Sequence, residues 1–94
     1  MYTTTAYVRN QYVSEFAKRR ANGNCQLCGK PAPFVNHDGI PFLEAHHIIP
    51  LSEGGADSID NIAALCPNCH RKMHVLELME DIQFLLGVAK KSIL

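Results

Sequence analysis

The sequence has no tryptophan, no excess of charge of either sign and no long hydrophobic run. Nine Lys or Arg residues balance nine Asp or Glu residues, so no global field draws a polyanion to the whole surface. No apolar stretch approaches the roughly 18 residues that a membrane-spanning helix needs. The absence of Trp and of an aromatic-rich sheet motif argues against a structural-RNA binder. Any contact with a polyanion must therefore be local.

The first residues, Met1 to Thr5, lack the basic, apolar and small-residue regions of a secretion signal. We therefore expect a cytoplasmic protein with no membrane partner. With 94 residues and a mass of 10.5 kDa, the chain is expected to form a single domain, residues 1–94. A domain this short often needs a metal or disulfide staple. Because cytoplasmic thiols stay reduced, the cysteines are expected to bind metal.

The four cysteines form two Cys-x-x-Cys pairs, Cys25 with Cys28 and Cys66 with Cys69. The first pair, within Cys25 to Lys30, has the form of a zinc knuckle, and four thiolates around one Zn²⁺ make a closed tetrahedral site with a structural role. Such a site would clamp the end of the first helix to the start of a later one. We expect the protein to unfold when this zinc is removed.

The apolar pattern predicts a mixed α and β chain. Tyr7 to Ala21 is expected to be a helix capped by the preceding threonines, and Pro41 to Leu51 a strand pair or hairpin. Ser52 to Asp60 is polar and glycine-rich, which indicates a loop before a short buried strand at Ile62 to Leu65. Pro67 then suits the first turn of a helix.

The C-terminal segment, residues 75–94, is predicted to be an amphipathic helix. Its apolar residues recur at spacings of three and four, at Val75, Met79, Ile82, Leu86, Ala89 and Ile93. This face can pack on the first helix of the same chain, or it can join two chains. A monomer and a homodimer through this helix both remain open.

Four histidines fall into two groups, His46-His47 and His70-x-x-x-His74. Two imidazoles at i and i+4 on one helix face can grip one metal ion. Neighbouring side chains at a strand end point to opposite sides, so only one of His46 and His47 can join the helical pair. The other stays available as a base, since a neutral imidazole takes a proton from water at neutral pH. This division of roles suits metal-assisted phosphodiester hydrolysis.

Taken with the cysteine pairs, these residues closely resemble the HNH endonuclease motif, in the zinc-bearing form of restriction and phage proteins. The matching segments are Glu44–Leu51, Gly54-Gly55, Asp60–Ile62, Leu65–His70 and His74. The resemblance covers Cys25 to His74 and implies an α+β fold. Its core would be a small ββα-metal (His-Me finger) unit, residues 24–74, stapled by the four-cysteine zinc and flanked by helices in residues 1–23 and 75–94.

The resemblance also implies roles for the site residues. His47 would be the general base, and His46, His70 and His74 would hold one divalent metal ion. Asn61 would hydrogen-bond to backbone across the loop and keep His47 in its reactive orientation. Many relatives have Asp where His46 stands. Because imidazoles suit softer ions, we expect better activity with Mn²⁺, Co²⁺ or Ni²⁺ than with Mg²⁺.

The expected activity is that of a metal-dependent DNA endonuclease that nicks duplex DNA with low sequence specificity. Arg71 and Lys72 beside His70, and Arg19 and Arg20 at the end of the first helix, are candidate phosphate contacts. Solvated cations at a helix end are an equal alternative for the second pair. The rival function is a catalytically inactive, zinc-stabilised DNA-binding or adaptor module. The intact His47 and Asn61 argue against it.

Overall fold

A computed structural model describes residues 10–91 of the chain. The elements, in order, are α1 (Gln11–Ala21), β1 (Glu44–His47), β2 (Ile62–Leu65), α2 (Pro67–Leu76) and α3 (Met79–Lys91). Two short 3₁₀ turns, Leu51–Glu53 and Ile59–Asn61, lie between the strands. The strand, loop, strand, helix order of the predicted ββα core is present, and the α+β fold class is confirmed.

Helix α1 begins one residue after Asn10, whose side-chain oxygen accepts a hydrogen bond from the Tyr12 N–H at 2.9 Å. The N-cap of this helix is therefore Asn10, an amide side chain suited to satisfying a free N–H at a helix start. The predicted start at Tyr7 and the threonines before it lie outside the described residues. The helix ends at Ala21, and its C-cap Asn22 adopts a left-handed conformation with φ 53°.

Strands β1 and β2 pair in an antiparallel sheet in which His46 lies opposite Ala63 and His47 opposite Ile62. The segment from Pro41 to Leu51 thus contributes one strand instead of the predicted pair, and its partner comes from beyond the loop. The β2 boundaries match the prediction, and all four of its residues are buried. Helices α1, α2 and α3 all contact β2, so this strand lies in the middle of the core.

The predicted single helix over residues 75–94 is divided in the structure. Helix α2 runs on to Leu76, the chain turns at Glu77 in a left-handed conformation, and α3 starts at Met79. Val75 and Met79 are exposed, whereas Leu85 and Ala89 form the buried face. Ile93 lies outside the described residues.

Helix α3 packs on β2 and on the 3₁₀ turn Ile59–Asn61. Its buried residues share one hydrophobic cluster with those of α1. Packing within the chain therefore accounts for the buried face of α3. Among residues 10–91, no helix is both long and apolar enough to cross a membrane.

Candidate active site and metal centres

The four cysteines come together where the turn segment after α1 meets the start of α2. Their sulfur atoms all lie within 4.8 Å of one another, a cluster that can hold a metal ion. Cys66 is the N-cap of α2, and its sulfur accepts a hydrogen bond from the Cys69 N–H at 3.4 Å. The Cys28 N–H makes the matching contact with the Cys25 sulfur at 3.5 Å. Although burial raises the pKa of the Cys25 thiol, backbone N–H donors outweigh it and lower this pKa to about 7. The set suits zinc.

Three histidines form a second cluster at the junction of β1 and α2. His46, His70 and His74 each offer one ring nitrogen within 4.8 Å of the others. The ring centroids are 4.9–5.2 Å apart, and the Nε2 atoms of His70 and His74 are separated by 3.1 Å. Helix α2 supplies the i and i+4 pair and β1 supplies the third ring, as the sequence pattern predicts.

The buried member of this cluster shows why a cation fits. His46 is 6% exposed, and its Nε2 atom is buried without a hydrogen-bond partner among the described residues. Burial lowers the pKa of His46 to about 4, with further lowering by His70, His74 and His47. The ring is therefore neutral at neutral pH and has a lone pair to offer. A buried polar nitrogen without a protein partner needs another one, and a divalent cation meets that need.

A carboxylate supports the exposed side of the histidine cluster. Glu44 lies two residues before His46, so the strand presents both on the same side. Its Oε1 atom is 2.8 Å from Nδ1 of His70. When Nδ1–H donates to this oxygen, the Nε2 lone pair of His70 faces the other two rings. Sequence reasoning gave Glu44 no role at the site, although its i, i+2 spacing from a candidate ligand was a usable signal.

His47 lies on the other side of β1 and takes no part in the histidine cluster. Its Nε2 atom is 2.8 Å from Oδ1 of Asp57. The side chains of His47 and Asp57 are only 9% and 18% exposed. The structure therefore separates the two adjacent histidines in the way expected of neighbouring residues in a strand. Asp57 was not singled out from the sequence, where it is one acidic residue of a polar loop.

Asn61 hydrogen-bonds across the loop that separates the two strands. Its buried side-chain amide donates to the carbonyl oxygens of Ile49 and Ala56 at 3.0 and 2.8 Å. Its Oδ1 atom accepts from the Ile49 N–H at 2.9 Å. The expected hydrogen bonds to backbone across the loop are thus present. The amide holds the end of β1 and the segment before Asp57 at a fixed separation.

The Asn61 contacts require a residue without a side chain at Gly55. A Cβ atom at Gly55 would lie 1.9 Å from the Ile49 oxygen and 2.9 Å from Nδ2 of Asn61. The first distance is far inside van der Waals contact and involves backbone, which cannot move aside cheaply. Gly54, by contrast, has a positive φ of 90° and open space around it. The two adjacent glycines therefore serve different purposes.

The candidate DNA-contact residues do not all face outward. Arg20 donates to the carbonyl oxygens of Ile59, Ile62 and Ala89 at 2.9, 2.6 and 3.2 Å. This guanidinium links α1 to the turn that carries Asn61 and to α3, so the structure gives Arg20 a structural role, and its contact with DNA stays a prediction.

The other basic candidates remain at the surface. Arg19 and Arg71 are exposed. The ammonium of Lys72 lies 3.3 Å from Oδ2 of Asp81 in α3. The Lys72 side chain is 44% exposed and the Asp81 side chain 16% exposed, so the ammonium stays accessible from solvent while the carboxylate is largely buried.

The chain resembles known proteins in sequence. The family model described as HNH endonuclease matches residues 25–75. The chain is 56% identical over 82 residues to the type IV methyl-directed restriction enzyme EcoKMcrA of Escherichia coli strain K12, covering 87% of this chain and 30% of that protein. It is also 57% identical over 37 residues to anaredoxin of a Nostoc species, covering 39% of this chain and 49% of that protein.

The fold has a solved counterpart as well. The structure of the type IV phosphorothioation-dependent restriction endonuclease ScoMcrA superposes with a TM-score of 0.78 and 27% identity. That match covers 90% of this chain and 19% of the solved one. The chain therefore spans less than a third of the length of both restriction enzymes.

Proposed function

The chain belongs to the HNH endonuclease family, and from this membership we propose that it is a metal-dependent endonuclease that hydrolyses phosphodiester bonds in duplex DNA. The observation that carries the proposal is the division of two adjacent histidines between two environments. His46 faces two other imidazoles, and His47 faces a carboxylate on the opposite side of β1. A site that hydrolyses phosphodiesters with one metal needs both a set of ligands and a separate base.

In this proposal His46, His70 and His74 would hold one divalent ion, which would supply charge neutralisation during the reaction. His47 takes a proton from a water molecule through the ring nitrogen that does not face Asp57. The water oxygen forms a bond to phosphorus as the bond from phosphorus to the 3′ oxygen breaks, and that oxygen gains a proton from solvent. The products carry a 5′-phosphate and a 3′-hydroxyl.

Three surface cations are proposed to contact the DNA backbone. Arg71 and Lys72 flank His70 on α2, and Arg19 is exposed on the last turn of α1. Such contacts place the protein on the duplex without reading its sequence, so low sequence specificity is expected. One such site cuts one strand, and the expected product is therefore a nick. A double-strand break would need two chains or two successive cuts.

The test is conversion of supercoiled plasmid to open circles by the wild type and by His47→Ala, in Mg²⁺, Mn²⁺, Co²⁺, Ni²⁺ and Zn²⁺. His37→Ala is a matched control, because His37 is exposed on a turn outside the histidine cluster. We expect His47→Ala to lose at least about 100-fold in rate, the usual size of general-base catalysis, and His37→Ala to match the wild type.

Two results would contradict parts of this proposal. Equal cutting by wild type and His47→Ala would remove His47 from the mechanism. Binding of DNA with no cutting under any metal would favour the alternative function, a zinc-stabilised DNA-binding or adaptor module.

A further inference from the structure

Asp57 is held at both of its carboxylate oxygens. Oδ1 meets Nε2 of His47 at 2.8 Å, and Oδ2 accepts the backbone N–H of Asn10, the residue that caps α1. With both oxygens engaged, the carboxylate has one orientation relative to the imidazole. The two side chains are also largely buried, which strengthens the hydrogen bond between them.

The loop that carries Asp57 is fixed by a second residue of the site. The Asn61 amide donates to the carbonyl of Ala56, immediately before Asp57, and also bonds to Ile49 just beyond β1. Asn61 thus sets the distance between the strand that carries His47 and the loop that carries Asp57. Asn61 therefore influences the position of His47 through the backbone at Ile49 and Ala56.

We propose that Asp57 is a positioning residue that fixes the ring orientation and the tautomer of His47; this inference rests on the proposed function, in which His47 is the base. When Nε2 carries the proton and donates it to Asp57, the lone pair lies on Nδ1. The proton from water then goes to Nδ1. Without the carboxylate the ring can rotate and can exchange its proton between the two nitrogens, and only part of the population has a lone pair in the productive position.

A purely structural role for Asp57 makes a different prediction. If the carboxylate only ties the loop to the start of α1, its loss lowers stability and leaves the His47 ring unchanged. A positioning role predicts that the orientation and the tautomer of the His47 ring change even in a variant that stays folded. The tautomer can be measured directly, because the ¹⁵N shifts and couplings of an imidazole distinguish a protonated nitrogen from one with a lone pair.

The experiment compares wild type with Asp57→Ala, Asp57→Asn and Asp57→Glu, and with Asp60→Asn as the control. Asp60 lies in the same loop, and its carboxylate accepts from the Ser58 hydroxyl and makes no bond to His47. For each folded, zinc-loaded protein the His47 ring is observed by ¹⁵N NMR. Mn²⁺ affinity, kcat and KM for nicking a duplex are measured alongside. Asp57→Asn nearly preserves shape, so it covers the case in which Asp57→Ala fails to fold.

We expect the wild-type ring to carry its proton on Nε2, and Asp57→Ala to show a mixture of tautomers. Its kcat should fall by about 100-fold or more, with KM and Mn²⁺ affinity within about twofold. Asp57→Glu should recover part of the rate, and Asp60→Asn should behave as wild type. A proton that stays on Nε2 in Asp57→Ala, or an unchanged kcat in a nicking-competent protein, would overturn the inference. If the wild type cuts no DNA, the proposed function fails, and the NMR result still decides whether Asp57 sets the tautomer.

Discussion

Oε1 of Glu44 lies 2.8 Å from Nδ1 of His70, across the junction between β1 and α2. The contact joins a strand residue to a helix residue, so it fixes the His70 ring relative to His46 on the same strand. A carboxylate behind a ligating imidazole sets the tautomer of that ring and makes it a better donor. In the proposed function Glu44 would therefore support the metal centre without being one of its three nitrogen ligands.

The first prediction concerns this carboxylate. Glu44→Ala should lower the affinity of the histidine site for Mn²⁺ or Ni²⁺ by about 10- to 100-fold, the usual effect of losing such a partner. Calorimetric titration of the zinc-loaded protein measures it. Glu53→Ala, at an exposed position in the turn Leu51–Glu53, is the control and should leave affinity unchanged. Equal affinities for the two variants would show that Glu44 does not support the metal.

The second prediction concerns the cysteine cluster. Removal of zinc, or Cys66→Ser at the N-cap of α2, should abolish cooperative folding, as measured by circular dichroism and by the loss of dispersed NMR signals. The expected loss of folding follows from the size of the zinc-binding free energy. Zinc binds such sites in peptides with about 10 kcal/mol or more, which is comparable to the whole stability of a small domain.

The control for this experiment is His74→Ala, which weakens only the histidine site. It should remain folded with its zinc in place, because His74 is exposed and lies outside the hydrophobic core. A zinc-free protein that still unfolds cooperatively would show that the core alone supports the fold.

The third prediction concerns the choice of metal. Because all three donors are imidazoles, nicking should be faster with Mn²⁺, Co²⁺ or Ni²⁺ than with Mg²⁺, which prefers oxygen ligands. His46→Asp replaces one imidazole with a carboxylate and should shift the preference toward Mg²⁺. The ratio of rates in Mn²⁺ and Mg²⁺ is the measurement, since it cancels a general loss of activity. A wild type that works as well in Mg²⁺ alone would count against three-histidine ligation.

The fourth prediction separates two adjacent arginines. Arg20→Met removes a guanidinium that bonds to three carbonyl oxygens and should destabilise the protein by about 2 kcal/mol in chemical denaturation. Arg19→Met should change stability by less than about 0.5 kcal/mol. If Arg19 contacts a phosphate, its loss should reduce the salt dependence of DNA binding by about one counterion. The reverse pattern would assign the DNA contact to Arg20.

Some of this structure follows from local sequence. Ile62 to Leu65 is a run of apolar residues between a polar loop and a cysteine-proline pair, so its identity and its ends are set locally. The two Cys-x-x-Cys pairs and the two histidine groups have spacings that are typical of metal coordination. For the cysteines and the helical histidine pair the spacing was enough to predict which residues meet, and the resemblance to the HNH motif selected His46 as the third histidine.

Other features depend on distant parts of the chain. Which acidic residue reaches which histidine is decided by the register of β1 on β2 and by closure of the loop. Spacing could place Glu44 on the side of His46 but could not pair it with His70, and nothing distinguished Asp57 from the other acidic residues of its loop. Arg20 could not be distinguished from its neighbour Arg19 by sequence, because the carbonyls of Ile59, Ile62 and Ala89 that surround it come from distant parts of the chain. The turn at Glu77 has no glycine or proline to signal it, and the apolar spacing continues across it.

Gly55 has a bearing on how mutational data for this site should be interpreted. Any side chain at this position would push the Asn61 amide away from Ile49, and the loop that carries Asp57 would move with it. In an activity-based alanine scan, Gly55 would therefore score with the histidines, although it offers no functional group at all. A position can be intolerant of substitution because the fold leaves no room for a side chain there. The loss of activity on substitution then reflects packing and not a chemical role of the residue.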